Sequence, residues 1–526
     1  MTRREFLQLL GQAGGASLVY SALGAMGLSD ARGANAPAPF KQLEGNANGK
    51  RVLILGAGAA GLCVAYELGK VGYDCKVLEA RTRVGGRCHT IRRGTTEIET
   101  DGRSQTCAFD EDPNLYFNPG PTRIAQQHCT LDYCRELGVA VEVFGNLNEA
   151  AYLYRSEPGA LSGQRVRVRE ARGDLYGYVA ELLAKAVHAG ALDQDLTAAD
   201  KQNLLHYLTV EGALHGGDFK YRGSNRRGYS TWPAAGDQRG ARSEPFKLAD
   251  VLGSELGHHF SFNWGIEQQS TMLTIVGGMD RLPREFAQRV GSNAIELGAR
   301  VTEIRQTPER VLVRYADRVG RAQEAAAEYC VCTIPPKVLR GIDADFSDAM
   351  RRAIASVEME SAVKVGLQFK RRFWEEDDRI FSGISRTDQT IQQIIYPSCG
   401  YLGKKGVVIG CYNFAEDAEE MSRLSSEARV ERALADGEKI HPQYRAEFES
   451  GFAVSWRRTP FSLGAYALYP GDARRQHYPT LCEPDRRIYL AGEHVSWLNG
   501  WIAGALESAR RAATMIHERT VREKSP

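Results

Sequence analysis

The stretch VLILGAGAAGLCVAYELGKVGYDCKVLEA, residues 52–80, constrains the fold of this chain more than any other. An apolar run ends at Gly56, passes Gly58 and Gly61 into a helical pattern, and returns to a second apolar run that closes on Glu79. The first glycine permits a tight turn, the second lets backbone N–H groups approach a pyrophosphate, and the third lets helix and strand pack closely. Glu79 follows Gly61 by 18 residues, where a carboxylate can accept hydrogen bonds from both hydroxyls of an adenosine ribose. The reading is a parallel α/β dinucleotide-binding unit that starts at Arg51, with Ala59 and Ala60 at the helix entrance and Ala80 and Arg81 beside the acid as further contacts.

That unit is a small part of 526 residues and 58.1 kDa, which leave room for two or three domains with sizeable cores. Sixty-seven Lys and Arg against 65 Asp and Glu give a formal charge of +2, so nothing global points to nucleic acid or an anionic membrane as partner. The basic stretch RVRVRE, residues 165–170, alternates as a strand with one solvated face does. Eleven cysteines form no CxxC pair, and Cys330 and Cys332 in YCVCTI read as small apolar side chains of a buried strand. The histidine pair His258 and His259 has no flanking carboxylate cluster, so no metal site is expected.

The amino terminus reads as an address. TRREFLQLL, a weakly apolar Gly/Ala-rich run and an Ala34-x-Ala36 pattern follow the order of a secretory signal over residues 1–36, and Arg3 and Arg4 resemble a twin-arginine signal. The expectation is an exported protein, periplasmic or secreted, with a linker over 37–50 and no stable membrane insertion. Further along, 125–145 and 170–210 read as helical, and strands are expected in RVTEIRQ, RVLVRYA, YCVCTIPP, KVGLQF, IQQIIYP, GVVIGCY and RRIYLAGEH. The Gly-, Arg- and Ser-rich stretch 215–247 reads as a long loop, either disordered or a lid.

EARTRVGGR, residues 79–87, resembles the FAD-binding signature of the flavin-dependent amine oxidase family. Four further stretches match that family in order: VGGMDRLP (276–283), TIPPKVL (333–339), SAVKVGLQF (361–369) and AGEHVSWLNGWIAGALESA (491–509). The resemblance implies an α/β (α+β multi-domain) fold with a discontinuous Rossmann-like FAD-binding domain of the glutathione-reductase/amine-oxidase type over 51–118, 268–345 and 455–516. It implies a mixed-sheet substrate domain over 119–155 and 346–454, a helical subdomain over 156–267 and a tail over 517–526. It places Gly86 and Arg87 by the diphosphate, Val301 by the adenine and Glu493 by a ribityl hydroxyl. Gly120, Pro121, Thr122, Arg123, Gly492, Gly500, Trp501 and Ile502 complete its FAD contacts, Lys364 matches a lysine that holds a water against flavin N5, and Trp501 walls the substrate cavity.

Two details bear on substrate. Ala465 in SLGAYALYPG stands where monoamine oxidases carry a flavin-tethering cysteine, which implies noncovalent FAD. Arg123 in NPGPTRIAQQH (118–128) resembles the arginine of a GxxRxxxxH stretch in L-amino-acid oxidases, where it grips the substrate carboxylate through two parallel hydrogen bonds. His128 fits the same stretch and is a candidate proton relay, although Thr122 and Ala125 replace the usual Met and Pro. Tyr396 in IIYPS resembles a second carboxylate-binding residue, and the Gly500 carbonyl is placed to accept a hydrogen bond from the amine. The implied reaction is hydride transfer from Cα of an L-amino acid to flavin N5, with O2 reoxidising the flavin to give H2O2 and water releasing a 2-oxo acid and ammonia. No residue marks a charged side-chain pocket, so large neutral and aromatic substrates are expected, and the resemblance implies a homodimer. The alternatives are a monoamine or polyamine oxidase and a noncatalytic flavin-binding protein.

Overall fold

The structure is a computed structural model that describes Phe40 and residues 42–524; the signal-like segment 1–36 lies outside the described residues. The strand Arg51–Leu55 is buried from Val52 onward, as a central parallel strand covered on both faces must be. It pairs in parallel with Asp74–Glu79 on one side and Tyr329–Cys332 on the other. Ile295–Leu297 and Ile488–Leu490 close the edges of this five-stranded parallel sheet, which therefore gathers strands far apart in sequence. Cys330 and Cys332 are fully buried in it. The helix Ala59–Gly69 lies against the final helix Ile502–Lys524, their small residues Ala65, Ala509 and Ala513 allowing Leu62, Leu68 and Leu506 into one core.

A seven-stranded mixed sheet forms the second layer, in the order 448–455, 362–369, 406–414, 393–395, 384–387, 152–154, 165–167. Its strand Ala362–Phe369 is buried at every residue between two antiparallel neighbours. The one parallel pairing joins Ile384–Thr387 to Tyr152–Tyr154. The expected α/β class, with a Rossmann-like sheet and a separate mixed sheet, is what the chain adopts.

Three local expectations need correction. Residues 125–145 are not one helix: Thr130–Leu137 is helical, Gly138 at φ +73° ends it, and Val141–Gly145 pairs antiparallel with Thr271–Ile275. The stretch RVRVRE divides, Arg165–Arg167 forming an edge strand of the mixed sheet and Val168 opening the helix Val168–His188. Glu170 turns back to accept a hydrogen bond from the Arg167 amide at 2.9 Å, and this capping interaction starts the helix inside the alternating pattern. The stretch 215–247 contains a hairpin, Tyr229–Thr231 with Ala241–Arg242. It is pinned to the long helix by buried Asp174, which accepts from Arg227 Nε (2.7 Å), the Tyr221 hydroxyl (2.8 Å) and the Phe246 amide (2.8 Å).

Candidate active site

Between the two sheets lies a cleft of about 590 Å3. On the parallel-sheet side its wall begins at the glycine turn. The Glu79 carboxylate accepts from the Ala57 amide at 2.8 Å and the Arg81 amide at 2.9 Å, which fixes the acid against the turn. Gly58 is open to the cleft, since a Cβ there would meet nothing within 4 Å. Gly61 is the one predicted cofactor contact outside the wall: a Cβ on it would lie 1.9 Å from the Gly56 carbonyl, so its role is packing helix on strand. Ala59, Ala60, Ala80 and Gly86 line the same side, as do Gly120, Pro121, Thr122 and Val301.

Arg87 reaches across to Glu493 Oε1 at 2.7 Å and to the Ala465 carbonyl at 2.8 Å. Burial alone would raise the Glu493 carboxyl, but Arg87, His494 and the Gly500 amide outweigh it and hold the group below its usual range. Arg81 binds the Pro460 carbonyl (2.6 Å) and the Ser462 hydroxyl (2.8 Å), and burial lowers it to about 10. Gly492, Glu493, Gly500, Trp501 and Ile502 bring the entrance of the closing helix to the wall. Free backbone amides at two helix entrances, a backbone left bare at Gly58 and a carboxylate at the end of the second strand fit an anionic dinucleotide cofactor.

The mixed-sheet side of the cleft is built from Phe262, Gln268, Arg386, Gln393, Tyr412 and Phe414. Arg123 opens on this side. Its Nη2 donates to Gln268 Oε1 at 3.1 Å and its Nε is buried with no partner. Among the described residues no carboxylate pairs with it, and desolvation lowers its pKa. Trp501 is fixed by an indole N–H donated to Glu267 at 3.0 Å.

Three predicted residues are placed differently. Tyr396 does not reach the cleft. In the strand Gln393–Ile395 side chains alternate, Gln393 faces the wall, and the phase sends Ile394 and Tyr396 into the opposite core. There the Tyr396 hydroxyl meets Ser385 Oγ and His441 Nε2, both at 2.7 Å, while His441 Nδ1 meets Asp378 at 2.8 Å. His128 also lies off the wall, packed edge-on behind Trp501 at 4.9 Å, with burial lowering it to about 4. Lys364 sits one layer back, fully buried, donating to the carbonyls of Gly120 (2.6 Å) and Asn118 (3.3 Å) above the Tyr412 ring at 4.0 Å. Burial, with the Arg123 charge adding to it, drives Lys364 well below the usual lysine range. The 215–247 stretch contributes nothing to the wall. Arg386, Gln393 and Tyr412 were missed; Gln393 and Tyr412 are polar residues within largely apolar strands, whereas Arg386, in the polar strand ISRT, carries no such local signal.

A model of the flavin containing amine oxidoreductase family matches residues 59–517. The YobN protein of Bacillus subtilis (strain 168) is 28% identical over 480 residues, 89% of this chain and 95% of its own length. The L-amino acid oxidase of Bothrops pictus is 26% identical over 501 residues, 90% of this chain and 91% of its own. Among solved structures, wild-type putrescine oxidase bound to putrescine is similar with a TM-score of 0.57 at 18% identity, covering 89% of this chain and 99% of the other, a likeness of fold. The family pattern thus runs from the first glycine helix to the closing helix, the two elements whose entrances meet at the cleft, and the chain belongs to the flavin-containing amine oxidoreductases.

Proposed function

We propose that the protein oxidatively deaminates L-amino acids with noncovalently bound FAD, converting amino acid, O2 and water to 2-oxo acid, ammonia and hydrogen peroxide. The observation that carries this is Arg123: a guanidinium open to the cleft, without a carboxylate partner among the described residues and with its Nε unpaired. A planar cation so placed suits the two oxygens of an α-carboxylate. The Bothrops pictus relative, named for L-amino acid oxidation, supports the same substrate class. Ala465 offers no nucleophile to a flavin, and burial pushes the thiol of Cys88, in the cleft wall, up to about 12.

When bound, FAD supplies a two-electron acceptor next to the substrate. The residues of this chain supply orientation and dryness. Arg123 holds the carboxylate, and the Gly500 carbonyl accepts from the substrate amine. Lys364 ties down the carbonyls of Asn118 and Gly120 and so positions the turn that presents Arg123. Trp501, Tyr412 and Phe414 exclude water from the reacting carbon.

The likeness to putrescine oxidase favours a second reading, oxidation of a plain amine or diamine. Against it, a diammonium substrate entering this cleft meets the guanidinium groups of Arg123 and Arg386, neither of which has an acid partner among the described residues. A peroxide-release screen over the twenty L-amino acids and their decarboxylated amines, repeated with Arg123→Ala, separates the two. Loss of the buried charge-assisted contact should cost about 2–5 kcal/mol, some thirtyfold to several thousandfold in kcat/KM, with the flavin spectrum unchanged. Turnover of amines alone, or an Arg123→Ala enzyme as active as wild type on amino acids, refutes the proposal.

A further inference from the structure

We infer that the cleft is built for a substrate bearing a second carboxylate, so that acidic L-amino acids are its preferred class. This rests on the reading of the cleft as an amino-acid site. The observation is Arg386, which lies on the strand Ile384–Thr387 opposite Gln393 and opens on the same cleft as Arg123. Its side chain makes no hydrogen bond and no ion pair among the described residues; its one partner is the Phe262 ring, 4.3 Å from the guanidinium carbon. Burial, and secondarily the positive charge of Arg123, lower it to about 10, which leaves it cationic at neutral pH.

Among the described residues, every fully buried arginine is paired with an acid. Arg372 is paired with Glu375 at 2.5 Å and Arg227 with Asp174 at 2.7 Å, while Arg429 is paired with Glu99. Two neighbouring cations that share a cleft and lack an acid repel one another and have lost much of their hydration, a cost that an anionic ligand removes. The α-carboxylate of an amino acid neutralises one of them. A neutral or aromatic side chain leaves the other uncompensated, whereas an aspartate or glutamate side chain meets it with the matching charge. Gln393 and Gln268 line the same part of the wall and can donate further hydrogen bonds to carboxylate oxygens. This revises the sequence-based expectation of large neutral substrates. The reaction is that proposed above: the carbon–nitrogen single bond loses two electrons and two protons to become an imine, O2 takes them up as H2O2, and water releases ammonia and a 2-oxo diacid.

The test compares kcat/KM of the holoenzyme for L-glutamate and L-aspartate with the uncharged isosteres L-glutamine and L-asparagine, and with L-leucine and L-phenylalanine. The better acid should exceed its amide by at least about tenfold, and Arg386→Gln should lower the acid by about a hundredfold, mainly through KM, while changing the amide by less than about threefold. Arg386→Lys, which keeps the charge, should retain part of the preference. A readout free of turnover uses glutarate against butyrate: glutarate should raise the Tm of the wild type more than butyrate does, and the difference should vanish in Arg386→Gln. Amides that match or exceed the acids overturn the inference. So does an equal loss on all substrates in Arg386→Gln, which marks a structural role, or a phenylalanine preference that Arg386→Gln abolishes, which marks ring stacking on the guanidinium. If neutral amino acids are oxidised in an Arg123-dependent and Arg386-independent way, only this inference falls; if amines alone are oxidised, the amino-acid reading falls with it.

Discussion

His128 and His494 are both enclosed, each with one ring nitrogen that has no partner, and burial pushes each imidazole down to about 4. The unfolded chain binds protons at these positions near pH 6.5, the folded chain only near 4. Their contribution to stability is therefore fully present above pH 6.5 and is lost as pH falls toward 4, each histidine accounting for on the order of 3 kcal/mol over that window. Thermal unfolding between pH 7.5 and 4.5 should show a steep acid limb, and His128→Gln should flatten it relative to wild type. Parallel acid limbs in the two proteins would show that His128 is not held neutral by the fold. The same residue shows that a motif match does not fix where a side chain is placed. GxxRxxxxH brings His128 forward with Arg123, yet only Arg123 faces the cleft, because the turn after Arg123 buries the histidine behind Trp501.

At the glycine-rich turn, two residues three apart do opposite work, and substitution separates them. Gly61→Ala puts a methyl 1.9 Å from the Gly56 carbonyl, so strand and helix must separate, with loss of stability on the order of 3 kcal/mol and loss of flavin together. Gly58→Ala places its methyl in open space within the cleft, so Tm without flavin should stay near wild type while flavin affinity falls. Apo-protein Tm and flavin retention through gel filtration, measured on both variants, check this; equal Tm losses would contradict it. The legibility of the fold follows the same division. The glycine turn, Glu79 and the closing helix were readable because the residues that act together are adjacent in sequence and each has a single steric or electrostatic purpose. Tyr396 was misplaced by one residue of strand phase, which a mixed sheet buried on both faces does not disclose through hydrophobic alternation. The apolar stretch before Gly145 reads as helix in the sequence because the strand it pairs with, Thr271–Ile275, lies too far along the chain to register locally.

The mixed-sheet half of the cleft shows where a single sequence stops being informative. Arg123 and Arg386 stand 263 residues apart and meet only because two sheets face each other, so no local pattern could show that either guanidinium lacks an acid. The parallel sheet carries a different consequence, one of timing. Its strand Tyr329–Cys332 is flanked by Arg51–Leu55, made before it, and by Ile488–Leu490, made well after it, and the helix that packs on Ala59–Gly69 comes later still. A ribosome-bound chain stopped at Arg487 should therefore bear a sheet with an unprotected edge and should not retain flavin, whereas a chain extended by a linker past Lys524 should. Flavin fluorescence of stalled chains tests this, and retention by the shorter chain would contradict it. While the chain between the glycine turn and Ile502–Lys524 is being made, that turn stands unfilled, so cofactor capture waits on the later helix and becomes a natural checkpoint on whether it has been made.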